Sequence, residues 1–283
     1  MTTEALTLPR TRRSPAAATW AFVRYHALTV YALLALAYLL LPVAVIALFS
    51  FNDPGGRFNY TWQGFTLDNW RNPFGVPGLS EAVGMSLRVA LFASIVATIL
   101  GTLIALALVR YAFRGRDTTN LFIFLPLTTP EVVLGASLLT LFLNLGVGRG
   151  FWTIFIAHVM FNISFVVVTV RARLVGFDRS LEEAAMDLGA NAWVTFTRVT
   201  LPLIAPAIFA GALIAFALSV DDFVITSFNA GQTVTFPIFV WGAARVGVPP
   251  QVNVLGTMIF LVAIALMLVS VLFQFRRQAK GAA

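Results

Sequence analysis

Six stretches of the chain, residues 27–51, 83–109, 119–145, 151–170, 203–226 and 253–275, are almost continuously apolar. Each reaches the roughly 20 residues that a helix needs to cross a bilayer. None shows the apolar–polar alternation of a barrel strand, which excludes a transmembrane barrel. The intervals between them hold the polar residues, the glycines and most of the prolines. The pattern therefore predicts six transmembrane helices and an all-α polytopic membrane protein. The first stretch is longer than the 7–15 apolar residues of a typical signal sequence and is read as a retained span.

Composition strengthens this reading. Of 283 residues 59% are hydrophobic and 11% charged, with a mean hydropathy of +0.88. A soluble domain carries about 25% charge, so lipid must be the outer solvent. A net charge of +7 could suggest nucleic acid, but the basic residues sit at the borders of the apolar runs. Topology accounts for them instead. With the N-terminus inside, the cytoplasmic side receives Arg10, Arg12, Arg13, Arg24, Arg110, Arg114, Arg116, Arg171, Arg173, Arg179, Arg198, Arg276, Arg277 and Lys280. The outer side receives Arg57, Arg71, Arg88, Arg149 and Arg245, a ratio of 14 to 5. Both termini are thus predicted to be cytoplasmic, as a tail over 1–26 and another over 276–283, flanking a membrane domain over 27–275. Residues 52–82, with Trp62 and Trp70, and 227–252, broken by Gly231, Pro237, Pro249 and Pro250, fall outside; 172–202 falls inside.

Candidate chemistry is sparse. There is no cysteine, and the histidines, His26 and His158, show no metal-ligand spacing. No catalytic or metal site is predicted, and His158 reads as a packing residue. A phosphate-binding loop needs a lysine after its glycines, whereas the only lysine is Lys280. The glycine cluster GVGRG at 146–150 reads as a turn.

The cytoplasmic segment around EEAAMDLGANAWVTFTRVTLP is the most polar internal passage. Ser180 and Glu183 fit a capping box. Leu181, Ala184, Ala185 and Leu188 share one stripe of a short helix, with Glu182, Glu183 and Asp187 around its other faces. Gly189 should stop that helix and Asn191 should cap the next. An acidic helix suits a protein cleft better than an anionic membrane surface.

The run E-A-A-x3-G-x9-I-x-L-P, matched here by Glu183, Ala184, Ala185, Gly189, Leu201 and Pro202, resembles the cytoplasmic signature of permease subunits of ATP-binding-cassette importers. Val199 stands where that family usually has Ile. The resemblance implies the type I importer permease fold and a coupling helix over Ser180–Ala190 that docks into a separate ATPase. Ser180, Glu183, Ala184, Ala185, Asp187, Gly189, Leu201 and Pro202 would serve that coupling. It also implies an ATPase dimer that binds the ATP and magnesium, a second permease subunit, an external solute-binding protein and a bacterial inner-membrane location. This chain would hold no cofactor and be no enzyme.

Charge inside a membrane marks candidate function. Glu131 lies deep in the third apolar run, where Pro126 and Pro130 should break the helix; in the first turn of the resumed segment it could line a path or stabilise exposed amides. Asp221 and Asp222 lie near the outer end of the fifth, where loop capping is the alternative. With Phe223 and Trp241 they would offer a cation ion pairs and aromatic faces. The passages ALSVDDFVITSF and LPLTTPEVVLGASLL resemble the second permease subunit of spermidine/putrescine importers, which implies a polyamine solute. Related groups carry ferric iron, thiamine or phosphonate, and an ATP-independent secondary transporter is a more distant alternative.

Overall fold

The computed structural model describes residues 15–56 and 58–281, without the side chains of residues 15–24 and of several beyond 262. In chain order the helices are α1 (Pro15–Phe49), α2 (Asp68–Arg71), α3 (Leu79–Arg110), α4 (Arg116–Thr128), α5 (Glu131–Asn144), α6 (Phe151–Val175), α7 (Ser180–Asp187), α8 (Ala192–Thr195), α9 (Leu201–Asp221), α10 (Val224–Asn229), α11 (Phe236–Val246) and α12 (Pro250–Gly281). A π-turn, Phe196–Thr200, joins α8 to α9. Among the described residues the only bridge between extended segments is Asn52–Phe65. The chain divides into two compact units, residues 1–73 with 249–283, and residues 74–248.

In the first unit α1 packs on α12, where a Cβ on Gly256 would stand 3.5 Å from the Ile46 side chain. The segment after α1 is tied down by asparagines. The Asn52 amide nitrogen donates to Asn59 Oδ1 (2.6 Å) and its oxygen accepts from Gln63 N (2.8 Å). Asn69 donates to the carbonyls of Ser50 and Asn52, and Trp70 stacks on Phe51. Buried amides are thus paired without regular structure.

The second unit is built on α3, α6 and α9. Ala90, Ala93, Ala97, Gly101 and Ala105 form a fully buried stripe along α3, while Leu91, Ile95, Ile99 and Leu103 face outward. Small residues inside and large ones toward lipid let helix backbones approach closely, which is how spans associate when both sides are equally apolar. Val166 of α6 is the wedge. A Cβ on Gly101 would stand 2.8 Å from its side chain, and one on Gly211 of α9 would stand 3.5 Å from it.

Four helical segments among the described residues are long and apolar enough to span: Tyr25–Phe49, Leu79–Arg110, Phe151–Val175 and Ala192–Asp221. The predicted third span over 119–145 is broken at Pro130, α4 and α5 meeting at 112°, whereas Pro126, also expected to break it, lies inside α4. Pro130 has no amide to continue the ladder and drives Thr129 into an extended conformation (ψ 132°). At the break Thr129 donates both its amide (3.0 Å) and its hydroxyl (2.7 Å) to Leu125 O. The predicted fifth span ends at Asp221 rather than 226, because Asp222 is extended (ψ 120°). The segment 227–252, predicted irregular, contains the second half of α10 and all of α11, and Pro250 opens α12 instead of breaking a helix. For the sixth span, the described apolar stretch is Pro250–Val262. Of the predicted N-terminal tail, residues 15–26 are helical and 1–14 lie outside the described residues; α12 runs on through most of the predicted C-terminal tail, to Gly281.

Candidate functional site

Two clusters carry the polar chemistry of the second unit. The first is the loop between α6 and α9. Asp178 accepts the Ser180 amide (3.0 Å), which holds its carboxyl below the usual carboxylate range. The predicted Ser180–Glu183 capping box does not form, because Asp178 has taken the role of first acceptor. The end of α7 is as predicted. Gly189 is left-handed (φ 89°), its amide donates to Met186 O (2.9 Å), and Ala190 N donates to Ala185 O (3.0 Å). Asn191 Oδ1 then accepts Val194 N (2.9 Å) and starts α8.

The helix is inside out. Leu181, Ala184, Met186 and Leu188 are exposed, Leu188 by 90%, together with Glu183 and Asp187, whereas Glu182 is only 9% exposed. Glu182 accepts hydrogen bonds from the Arg110 guanidinium at the end of α3 and from the Thr200 hydroxyl in the π-turn. Arg116 and Arg179 donate to the last carbonyls of α3, Leu108 O (2.9 Å) and Val109 O (3.4 Å). Cations at a helix C-terminus satisfy carbonyls that lack intrahelical donors. Pro202 cannot donate to the carbonyl four residues back, and the ladder widens locally so that Leu201 N donates to Phe196 O.

The second cluster lies where α9 breaks from α10. Asp222 turns inward. Its carboxylate accepts Thr226 N (2.7 Å), the Thr226 hydroxyl (2.6 Å) and Ile225 N (3.3 Å), and lies 3.2 Å from His158 Nε2. His158, buried on α6, also meets Thr226 Oγ1 through Nε2 (2.9 Å) and Ser219 Oγ through Nδ1 (3.0 Å). Asn162, one turn along α6, donates to Ser219 Oγ (2.8 Å). The donors and acceptors run in one order: Asn162 donates to Ser219, Ser219 donates to Nδ1, and the Nε2–H of His158 faces Thr226 and Asp222, while Asn162 Oδ1 is left without a partner. The network fastens the α9–α10 elbow to α6.

The other predicted path residues stand differently. Asp221 is exposed, and Glu131 is exposed in the first turn of α5 with no cap bond from the side chain of its N-cap residue, Pro130. One turn further, Gly135 lies against Ile225 and Phe228, so α5 crosses α10 where only a glycine fits. Phe223 and Trp241 are brought together, ring centroids 5.1 Å apart, and the Arg245 guanidinium sits 5.0 Å above the Trp241 ring. Sequence reasoning missed Ser219, Thr226 and Asn162. Their spacing from Asp222 and His158, at intervals of three and four, was the available signal. Gly146 closes α5 in the left-handed conformation (φ 67°), consistent with GVGRG as a turn.

Among the described residues the structure is a helical bundle with a broken span, a short helix that turns one acid inward, and acids in or beside its apolar helices. Residues 97–279 match the family of binding-protein-dependent transport system inner membrane components, and the chain belongs to that family. It is 39% identical over 246 residues to the spermidine/putrescine transport system permease protein PotC of Escherichia coli (strain K12), covering 87% of this chain and 92% of that protein. It is 41% identical over 235 residues to the putrescine transport system permease protein PotI of the same organism, covering 80% and 83%. The fold matches a chain of a bacterial ABC transporter involved in the import of the acidic polysaccharide alginate, with a TM-score of 0.64 and 18% identity over 93% of this chain and 98% of that one. It also matches an amino acid ABC transporter, TM-score 0.54 and 16% identity, over 76% and 100%.

Proposed function

We propose that this permease forms, with a second permease subunit, the membrane pathway of an ATP-driven polyamine importer. The observation that carries the solute assignment is the 39–41% identity, across most of the chain, to relatives named for spermidine and putrescine. Solute chemistry agrees: a polyamine is a flexible multivalent cation, and Asp221 and Glu131 are exposed carboxylates in or beside apolar helices. Phe223 and Trp241 add an aromatic edge that already holds a guanidinium, so the solute's ammonium would compete with Arg245 for that ring.

Energy enters from outside the chain. Both termini and α7 lie on the cytoplasmic side of the bacterial inner membrane in this reading, which the arginine asymmetry supports. There the exposed face of α7, with Glu183, Ala184, Ala185, Asp187 and Leu188, docks on one subunit of an ATPase dimer that binds ATP and magnesium. Ser180 and Gly189 bound that helix, and Leu201 and Pro202 open the span it feeds. A solute-binding protein delivers polyamine at the outer face; ATP-driven approach of the two ATPases moves the coupling helices, and hydrolysis resets them. No nucleic acid takes part.

Reconstitution with the partner permease, ATPase and binding protein tests the reading through uptake of labelled spermidine and putrescine. Uptake should require ATP. Asp221→Asn should lower kcat/KM by about tenfold, the equivalent of about 1.4 kcal/mol. Uptake by this chain alone without ATP would establish a secondary transporter, and ATP-dependent uptake of thiamine or ferric iron but not polyamine would reassign the solute.

A further inference from the structure

Glu182 is the one residue of α7 that is turned into the protein, and it is an acid. Seven of the eight residues, Ser180, Leu181, Glu183, Ala184, Ala185, Met186 and Asp187, are exposed or half-exposed. A helix that only needed to rest on the bundle would bury its leucine and methionine. This one presents them outward and buries a carboxylate between two groups from different helices, the Arg110 guanidinium of α3 and the Thr200 hydroxyl of the π-turn.

Those two attachments reach the mechanical elements of the unit. Arg110 is the last residue of α3, the 32-residue helix whose small-residue stripe packs on α6 and which also packs on α9. Thr200 is the residue immediately before α9, in the only π-turn among the described residues, where the ladder is wider and more easily re-registered. Arg179, which precedes α7, also donates to Val109 O, so α7 is tied to the end of α3 on both sides of its first turn.

We infer that Glu182 is the positioning residue that transmits movement of α7 into the spans, pulling on α3 through Arg110 and on α9 through Thr200. This rests on the reading of α7 as the ATPase-docking helix. The division of labour follows from the burial: Glu183 and the exposed stripe face the ATPase, and Glu182 faces the spans. Without Glu182 the ATPase would still grip α7, but α7 would move on a loose tether.

The test uses the assembled transporter in liposomes. This chain contains no cysteine, so a single Ser227→Cys on the exposed side of α10 gives a reporter for a membrane-impermeant maleimide. With Glu182 intact, trapping with ATP and vanadate should change the labelling rate by at least about fivefold, a coupling of ordinary size. In Glu182→Ala the ATPase should remain bound and hydrolyse at its basal rate, while that response collapses toward unity. Glu182→Gln, which keeps an acceptor for Thr200 but loses the ion pair, should respond in between. The exchange Glu182→Arg with Arg110→Glu should recover most of it. A full response in Glu182→Ala overturns the inference, and so does loss of bound ATPase from that variant, since Glu182 would then serve docking or shape. A transporter with Glu182 intact and ATPase bound that shows no nucleotide response sinks the docking reading itself, and this inference with it.

Discussion

The two adjacent acids of the Asp221–Asp222 pair should fail in different ways. Asp222 accepts two amides and a hydroxyl and faces His158, whereas Asp221 is exposed. In Asp222→Ala, His158 Nε2–H keeps Thr226 Oγ1 as an acceptor at 2.9 Å, but the Thr226 amide and hydroxyl are orphaned and the longer bond from the Ile225 amide (3.3 Å) is lost. At about 1–3 kcal/mol for each buried unpaired donor, the loss is about 2–6 kcal/mol. Asp222→Asn keeps an oxygen for the Thr226 amide and loses only the charge-assisted part, about 1.5–3 kcal/mol. Asp221→Asn should stay within about 0.5 kcal/mol of the parent, as surface substitutions do. The measurement is denaturant unfolding of the micelle-embedded transporter, paired with polyamine uptake. Asp221→Asn should lower uptake at parental stability; the Asp222 variants should lower both, Ala more than Asn. A double-mutant cycle between Asp222→Ala and His158→Ala should return a coupling of about 0.5–3 kcal/mol. Unfolding of Asp222→Ala indistinguishable from that of Asp221→Asn would refute the reasoning, because Asp222 would then be no part of the elbow's fastening.

Gly101→Leu should destabilise the second unit by about 1–3 kcal/mol in the same unfolding assay, since its Cβ alone already falls 2.8 Å from Val166, and Val166→Ala should recover part of the loss. Gly189→Val forces a β-branched residue into a φ of 89°, at a cost of about 1–2 kcal/mol, and should re-aim the α7–α8 corner. Its readout is the amount of ATPase that co-purifies with the permease, which should fall while the amount of membrane-inserted chain does not. Trp241→Ala should raise KM for polyamine about two- to fivefold, the size of an exposed cation–π contact of 0.5–1 kcal/mol, with Trp241→Phe in between.

Much of the bundle could be read from the pattern of residues because a bilayer imposes a single demanding requirement on length and hydropathy. The same holds for local chemistry that depends on neighbours in sequence. Gly189 as a left-handed stop, Asn191 as a cap and Pro130 as a breaking residue are decided within one turn of the chain. What hydropathy could not distinguish was which apolar face points inward. On α3 the inward stripe is alanine and glycine and the outward one leucine and isoleucine. Both are apolar, so packing follows size.

The departures have one physical cause, which is that a side chain's partner lies far along the chain. Nothing between Leu218 and Phe228 is glycine or proline, so the only sign that the fifth apolar run ends before residue 226 was the Asp221–Asp222 pair, which could equally line a path. It ends because the Asp222 carboxylate takes the amides that start α10, and it stays ended because His158, 64 residues earlier, holds that carboxylate in place. Glu182 repeats the case. By periodicity it belonged with Glu183 and Asp187 on the polar faces of α7, yet Arg110, 72 residues before it, and Thr200, 18 after it, turn it inward. At both ends of α9 an acid from a helical break or loop is held by a group on another span, His158 on α6 or Arg110 on α3. A span fastened in this way at both ends is tied through Thr200 and Glu182 to α7 and α3 at its start, and through Asp222 and His158 to α6 at its end, so displacement of α7 is delivered to α9 at a defined point and not spread along its apolar surface.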